Sequence, residues 1–135
     1  RLAPDDTILY TGTSDRDDMH FESLQAMKNQ LTRFRTASGS PFNLIELPLP
    51  DPVFDVDTGD RLPATYANYL ALAHRIIMPV YGQPLKDNLA AETLKVAFPD
   101  REIVTVDCRA LVRQHGSLHC VTMQLPAQVI TNKIR

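Results

Sequence analysis

The sequence has 135 residues, the length of one ordinary domain, and its 44% hydrophobic and 22% charged residues are usual for a globular protein. A formal net charge of −2 gives no basic field, and no apolar run is long enough to cross a bilayer, so we expect neither nucleic acid nor a membrane as a partner. Two cysteines do not make a disulfide framework, which predicts a reducing compartment, the cytoplasm.

The first third of the chain predicts a strand, a helix and a second strand. Residues 7–10 form a short β-type run. Residues 15–37 carry apolar side chains spaced by three and four, which is typical of an amphipathic helix: Phe21, Leu24, Met27, Leu31 and Phe34. Residues 43–47 predict the second strand.

A loop is predicted over residues 48–63, because four prolines exclude any regular element there. Loops of this length in compact domains are usually functional or disordered. This loop also holds four acidic residues, Asp51, Asp55, Asp57 and Asp60. We expect them to be solvated turn residues, although they could also shield a cationic ligand.

The remainder of the chain predicts a second block of alternating elements. We expect strands over residues 65–72 and 75–81, then a helix that Pro84 opens and Pro99 closes. A strand over residues 102–106, a short helical stretch over residues 108–114 and a last strand over residues 118–125 follow.

The two blocks have a common order of elements. Ile8 and Ile76 are 68 residues apart, and Leu44 and Ile103 are 59 residues apart, which predicts a structural repeat of this length. The first block shows no opening strand in its pattern. We therefore expect the chain to begin inside a repeat.

Cys120 is the candidate for nucleophilic chemistry, which requires thiolate character, access and a nearby base. It follows Gly116-Ser117, a bend that can leave backbone N–H groups free near the sulfur. The alternative interpretation is a small side chain packed inside a strand, which is common for free cysteine. Cys108 is expected to be structural, and Asp107 to cap the short helix that follows it.

The histidines near Cys120 are weaker candidates. In a strand, His119 and Cys120 would face opposite sides, so His119 is expected to support the site from behind and not to act as its base. His115 is expected to be a solvated loop residue. The spacing of His115 and His119 would suit a metal site on a helix, but Gly116-Ser117 disfavours a helix there, and we expect no metal.

Tyr66 and Asn68 alternate along the predicted strand over residues 65–72 and so would share one face. On that face they could line a pocket, or they could be ordinary strand surface.

Three segments resemble agmatine deiminases and their bacterial peptidyl-arginine-deiminase-like relatives, in that family's order and spacing. The first is residues 62–70, LPATYANYL. The second is Pro79-Val80-Tyr81-Gly82, followed by the helix that ends in FPDRE at residues 98–102. The third is residues 116–124, GSLHCVTMQ, which resembles the family's nucleophile motif. The resemblance covers most of residues 1–126.

The resemblance implies a pentein-type α/β propeller of five ββαβ blades around a central channel. Residues 1–135 would be the C-terminal part of a single deiminase domain, containing about the last two blades, residues 1–50 and 62–126. A general-base histidine and a guanidinium-binding aspartate would precede Arg1, and earlier blades would supply further acidic ligands. No cofactor is implied.

The implied reaction is the hydrolysis of a guanidino group, such as that of agmatine to N-carbamoylputrescine and ammonia in putrescine biosynthesis. Cys120 would attack the guanidinium carbon and form a covalent amidino-cysteine intermediate. Gly116, Ser117 and Asn68 would contact the substrate. Residues 114–118, QHGSL, replace a glycine-rich run with an asparagine that these enzymes commonly carry, so the substrate's identity stays open.

Two other functions remain possible from the sequence. An amidinotransferase would use the same fold with an amine as acceptor, and a non-catalytic α/β binding domain would merely pack Cys120. For a chain of two blades we expect no activity alone. Because its sheet edges would be open, we also expect association with other copies or with missing N-terminal segments.

Overall fold

The computed structural model describes residues 1–123 and 125. These residues form six strands and three α-helices: β1 Leu2–Ala3, β2 Thr7–Gly12, α1 Phe21–Leu31, β3 Asn43–Pro48, β4 Leu70–Ala71, β5 Arg75–Val80, α2 Pro84–Ala97, β6 Glu102–Asp107 and α3 Arg109–Val112. Two 3₁₀ turns are also present, Tyr66–Asn68 and His119–Val121. In this described part of the chain, no helix is both long and apolar enough to cross a membrane.

The strands form two three-stranded sheets with the same connectivity. In the first sheet β1 pairs antiparallel with β2, and β2 pairs parallel with β3. In the second sheet β4 pairs antiparallel with β5, and β5 pairs parallel with β6. The parallel pairs are joined by α1 and α2, because parallel neighbours require a long crossover. Each unit is therefore strand, strand, helix, strand.

The register of the two sheets confirms the predicted repeat. Ile8 lies opposite Leu44 in the first sheet, and Ile76 lies opposite Ile103 in the second. The expectation that the first block lacks its opening strand is wrong, since β1 pairs with β2. A strand of two residues is too short to show a periodic pattern. The division into blades 1–50 and 62–126 stays a prediction.

The strand predicted over residues 65–72 is wrong in its first half. Thr65 Oγ1 accepts a hydrogen bond from Ala67 N at 3.2 Å, and Asn68 N donates to Thr65 O at 3.3 Å. These local bonds close a 3₁₀ turn, which we call the Asn68 turn, Tyr66–Asn68. A threonine cap thus overrides the β preference of the tyrosine beside it. Tyr66 is buried and Asn68 is half-buried, so the two side chains do not line one strand face.

The final strand predicted over residues 118–125 is also wrong where the structure describes it. His119–Val121 form a 3₁₀ turn, which we call the Cys120 turn. Cys120 N donates to Ser117 O at 3.1 Å and Val121 N to Leu118 O at 3.3 Å, so the backbone is satisfied locally and not by a neighbouring strand. Gln124 and residues 126–135 lie outside the described residues.

Helix α1 is shorter than the predicted 15–37, because polar side chains compete for the backbone before it. Asp15 Oδ1 accepts from Asp17 N at 3.0 Å, and Asp18 Oδ1 accepts from His20 N at 2.8 Å. Such side-chain bonds favour turns over helix. The other predictions hold: residues 49–65 contain no strand or helix apart from a bridge between Phe54 and Arg61, and α2, β6 and α3 lie where expected.

A single core joins the two units. Helix α2 packs against β3 of the first sheet as well as against β5 and β6 of its own. Its inward face is fully buried at Ala90 and Leu94. Leu9 and Leu47 of the first sheet belong to the same buried cluster. The turns that carry Asn68 and Cys120 are therefore built on a common scaffold.

Truncation of Leu94 tests this shared core. Leu94 is 0% exposed, whereas Leu85 of the same helix is 88% exposed. We predict that Leu94→Ala lowers the free energy of unfolding by about 2–5 kcal/mol, because it leaves a cavity between the units. The control Leu85→Ala should change it by less than about 0.5 kcal/mol. Denaturant unfolding of both variants measures this, and equal losses would contradict the shared core.

Candidate active site

Two turns that are distant in sequence meet at Cys120. Asn68 Nδ2 donates a hydrogen bond to Cys120 Sγ at 3.2 Å. The same carboxamide accepts from His119 N through Oδ1 at 2.6 Å. One asparagine side chain therefore contacts both the sulfur and the backbone of the Cys120 turn. Both atoms of its carboxamide are engaged, so its position is well determined.

The two cysteines lie in opposite environments. Cys120 is exposed, and Cys108 is buried with 0% exposure; both are free thiols. The interpretation of Cys120 as a packed strand residue is wrong, and the structural interpretation of Cys108 is confirmed. A reactive thiol must be accessible, and of the two cysteines only Cys120 is.

Hydrogen bonding to the sulfur favours the thiolate of Cys120. The donation from Asn68 lowers the pKa of the Cys120 thiol below its ordinary value, and the backbone N–H of Ser117 lowers it further. Burial has the opposite effect on Cys108, whose pKa is raised. Of the two, Cys120 is therefore the better nucleophile near neutral pH.

Gly116 leaves space for this arrangement. A Cβ added at Gly116 would lie 3.1 Å from Cys120 Cβ and 3.6 Å from Cys120 Sγ. The first separation is tighter than ordinary van der Waals contact, so a larger residue would displace the cysteine. Substrate contact by Gly116 stays a prediction, and its steric role is a separate feature that the structure adds.

Ser117 is 1% exposed, and its Oγ lies 2.9 Å from the hydroxyl of Tyr81. Its side chain is directed into the protein, so a contact with substrate would have to come from its backbone. The substrate-binding predictions for Ser117 and Asn68 are untested and stay predictions. What the geometry adds is that Asn68 donates to the sulfur of Cys120 and that the carbonyl of Ser117 accepts from Cys120 N.

The argument that strand geometry separates His119 from Cys120 no longer applies, because both residues lie in a 3₁₀ turn. His119 donates its backbone N–H to Asn68 Oδ1, and its predicted supporting role stays a prediction. His115 is exposed and has a left-handed φ of 61°. Within residues 1–123 and 125, no group of three or more His, Cys, Asp or Glu side chains is arranged to hold a metal.

Acidic residues of the long loop pair mostly with basic side chains of this chain. Arg113 lies 2.8 Å from Asp57 and 3.7 Å from Asp55, and Lys86 lies 3.9 Å from Asp51. Among the described residues, no hydrogen bond or salt bridge joins these carboxylates to Cys120, whose side-chain donor is Asn68. Asp107 Oδ1 accepts from Arg109 N at 3.0 Å, but the N-cap of α3 is Cys108, so Asp107 lies one residue before the cap position predicted for it. The Arg109 side chain lowers the pKa of Asp107 to about 2.

Tyr81 and Asp87 were not singled out from the sequence as site residues. Tyr81 is 3% exposed, and its hydroxyl contacts Thr65 of one turn and Ser117 of the other loop. Asp87 accepts from Tyr66 Oη at 2.7 Å and from Tyr81 N at 3.1 Å. What marks these two residues is that their polar groups are hydrogen-bonded inside the protein, and a sequence pattern does not show this.

The fold and the site together define an α/β protein of repeated strand, strand, helix, strand units, with an exposed cysteine hydrogen-bonded by an asparagine. A profile of the family described as Porphyromonas-type peptidyl-arginine deiminase matches residues 1–126. The chain belongs to this family. The resemblance to agmatine and peptidyl-arginine deiminases is thereby confirmed.

Relatives and solved structures support the assignment. A candidate agmatine deiminase of Listeria monocytogenes is 32% identical over 93% of this chain and 38% of its own length. The structure of a candidate arginine deiminase from Porphyromonas gingivalis is 45% identical, with a TM-score of 0.84 over 90% of this chain and 35% of that one. The C. jejuni agmatine deiminase is 38% identical, with a TM-score of 0.74 over 85% of this chain and 33% of its own. A cysteine-to-serine variant of the C. jejuni enzyme has been crystallised with substrate bound.

These similarities confirm the predicted fold class, the α/β architecture of the pentein deiminases. They also show how much of that fold the chain contains, since it spans about a third of the length of the solved structures that it matches.

Substitution of Asn68 tests whether its amide stabilises the Cys120 thiolate. Asn68→Ala removes the donor, so the pKa of Cys120 should rise towards the ordinary value of about 8.5. Asn68→Asp keeps an acceptor for His119 N but places a carboxylate beside the sulfur, so the pKa should rise further. The pH dependence of iodoacetamide alkylation, resolved by peptide mass spectrometry, measures both.

The control is Asn43→Ala, which removes an amide that donates to Thr7 Oγ1 at 3.1 Å in the other sheet. Alkylation of Cys120 should be unchanged in this variant. Faster alkylation in Asn68→Asp than in the unsubstituted chain would contradict the assignment.

Proposed function

We propose that Cys120 is the nucleophile of a guanidino-group hydrolase, and that the reaction converts agmatine to N-carbamoylputrescine and ammonia. The observation that carries the proposal is the hydrogen bond from Asn68 Nδ2 to the exposed sulfur, 3.2 Å in length. Membership of the deiminase family supports guanidine chemistry, and the named activity of the C. jejuni relative supports agmatine as the substrate.

The first half of the reaction forms a covalent intermediate. The Cys120 thiolate adds to the central carbon of the guanidinium, and a sulfur–carbon bond forms as the carbon becomes tetrahedral. The carbon–nitrogen bond to one terminal amino group then breaks. This nitrogen takes a proton from a general acid and leaves as ammonia, which yields an amidino-cysteine.

In the second half, water adds to the same carbon while a general base accepts its proton. The sulfur–carbon bond breaks, Cys120 returns as the thiolate and a ureido product is released. Asn68 and the Ser117 N–H stabilise the sulfur anion at both ends of this cycle. A lower thiol pKa also makes Cys120 a better leaving group in this half.

The remaining groups of the reaction are proposed to lie in other blades of the propeller. A histidine would act as acid and base, and carboxylates would bind the cationic guanidinium. The chain spans about a third of the length of its structural relatives, which supports this division of the site. We therefore propose that residues 1–135 alone release no ammonia from agmatine. The open exposure of Cys120 agrees with a site that other segments complete.

Because we propose that the chain holds only some blades of the propeller, we also propose that it associates with other segments. Among the described residues β6 pairs only with β5 and so lies at the edge of its sheet, and residues 105–107 in it are exposed. An exposed strand edge presents unpaired backbone groups to any strand that can join it. We propose that further blades or other copies of the chain cover this edge.

The reaction is tested in the five-bladed protein that carries this chain. Cys120→Ser should lower ammonia release from agmatine by at least about a thousandfold, because the serine hydroxyl is a far weaker nucleophile. Cys108→Ala is the matched control and should retain most of the activity, since the thiol of Cys108 is buried and has no access to a substrate in solution. Product analysis for N-carbamoylputrescine identifies the reaction.

Retention of activity in Cys120→Ser would remove the proposed nucleophile. Ammonia release by residues 1–135 alone would show that the base and the carboxylates lie within this chain. Formation of an amidino-amine product in place of the ureido product would assign an amidinotransferase.

A further inference from the structure

The buried hydroxyl of Tyr81 contacts both the residue before the Asn68 turn, Thr65, and a residue before the Cys120 turn, Ser117. Thr65 N donates to it at 3.1 Å, and it donates to Thr65 O at 3.0 Å. Ser117 Oγ lies 2.9 Å from the same oxygen and can donate its proton to it. A single oxygen atom, on a side chain that is 3% exposed, thus contacts residues 52 positions apart.

Each partner of Tyr81 leads to one of the two turns that meet at the sulfur. Thr65 caps the Asn68 turn, since its Oγ1 accepts from Ala67 N and its carbonyl accepts from Asn68 N. The carbonyl of Ser117 accepts from Cys120 N at 3.1 Å and so holds the Cys120 turn. The Tyr81 hydroxyl therefore lies behind both partners of the hydrogen bond from Asn68 to Cys120.

The structure fixes Tyr81 on its other sides. Its backbone N–H donates to Asp87 Oδ1, and its ring packs against that of Tyr66 with 5.7 Å between centroids. Gly82 follows with a left-handed φ of 73°, a conformation that costs glycine little and turns the chain from β5 into α2. The hydroxyl is held on a rigid base, as a positioning group requires.

We propose that the Tyr81 hydroxyl is a positioning group for Cys120, which holds the Asn68 turn and the loop of Ser117 at the separation where the Asn68 amide reaches the sulfur. The inference rests on the proposed function of Cys120 as the nucleophile. It adds a residue that touches neither the substrate nor the sulfur. A hydroxyl that only satisfied the core would affect stability and leave the chemistry of Cys120 unchanged.

The test is the pH dependence of Cys120 alkylation in residues 1–135, resolved from Cys108 by peptide mass spectrometry. Tyr81→Phe keeps the ring and removes the hydroxyl. We expect it to shift the alkylation midpoint of Cys120 to higher pH and to slow alkylation at pH 7 about fivefold, as the loss of one well-placed donor would. Circular dichroism establishes that the variant is folded.

Tyr10→Phe is the matched control. Tyr10 is 6% exposed, and its hydroxyl donates to Glu46 at 2.7 Å in the first sheet. Tyr10→Phe should leave the alkylation profile unchanged, because the hydroxyl it removes is bonded to Glu46 and to neither turn. Ser117→Ala breaks the same contact from the other side, and its effect should not add to that of Tyr81→Phe in the double variant, because both act through one hydrogen bond.

The outcomes separate this inference from the proposed function. An unchanged profile in folded Tyr81→Phe, or equal shifts in Tyr81→Phe and Tyr10→Phe, overturns the positioning role while Cys120 remains reactive in the unsubstituted chain. If Cys120 in the unsubstituted chain reacts no faster than a cysteine in a short peptide, the nucleophile assignment itself fails. If Tyr81→Phe does not fold, Ser117→Ala decides by the same criteria.

Discussion

The hydrogen bond from Asn68 to Cys120 is the interaction on which the site depends. It joins two short 3₁₀ turns that neither helix nor sheet connects directly, and it determines which atoms face the sulfur. The same carboxamide binds His119 N, so the donor cannot turn away without losing its second bond. An exposed cysteine thereby acquires a defined environment. Exposure gives access, and the amide gives thiolate character.

The scaffold beneath these turns explains how such short segments are held in place. Helix α2 packs across β3, β5 and β6, so the two strand, strand, helix, strand units share one core. Asp87, in the first turn of α2, accepts from the Tyr66 hydroxyl and the Tyr81 backbone. The chain of contacts thus runs from a buried helix through two tyrosines to the turn that carries Asn68. Catalytic groups on loops need this kind of rigid support.

The sequence predicts the scaffold better than the site, for physical reasons. Ile8, Leu44, Ile76 and Ile103 belong to strands, where burial imposes a periodic pattern, and their predicted correspondence is confirmed by the register. β1 was missed because two residues hold no period. Both 3₁₀ turns were predicted as strands, since the local bonds of Thr65 and Ser117 that form them leave no hydrophobic pattern. Cys120 and Asn68 were named separately, but only the three-dimensional structure shows that they touch. Tyr81 appeared only within the family-like segment Pro79-Val80-Tyr81-Gly82, with no role of its own.

The central claim is that the hydrogen bond from Asn68 holds the Cys120 sulfur ready to ionise. The most direct measurement is a pH titration of the ¹³C-labelled cysteine Cβ resonances by NMR, which reports both thiols in one folded sample. The account predicts a midpoint for Cys120 below the ordinary cysteine value of about 8.5 and a midpoint for Cys108 above it. A Cys120 midpoint at or above that value would contradict it.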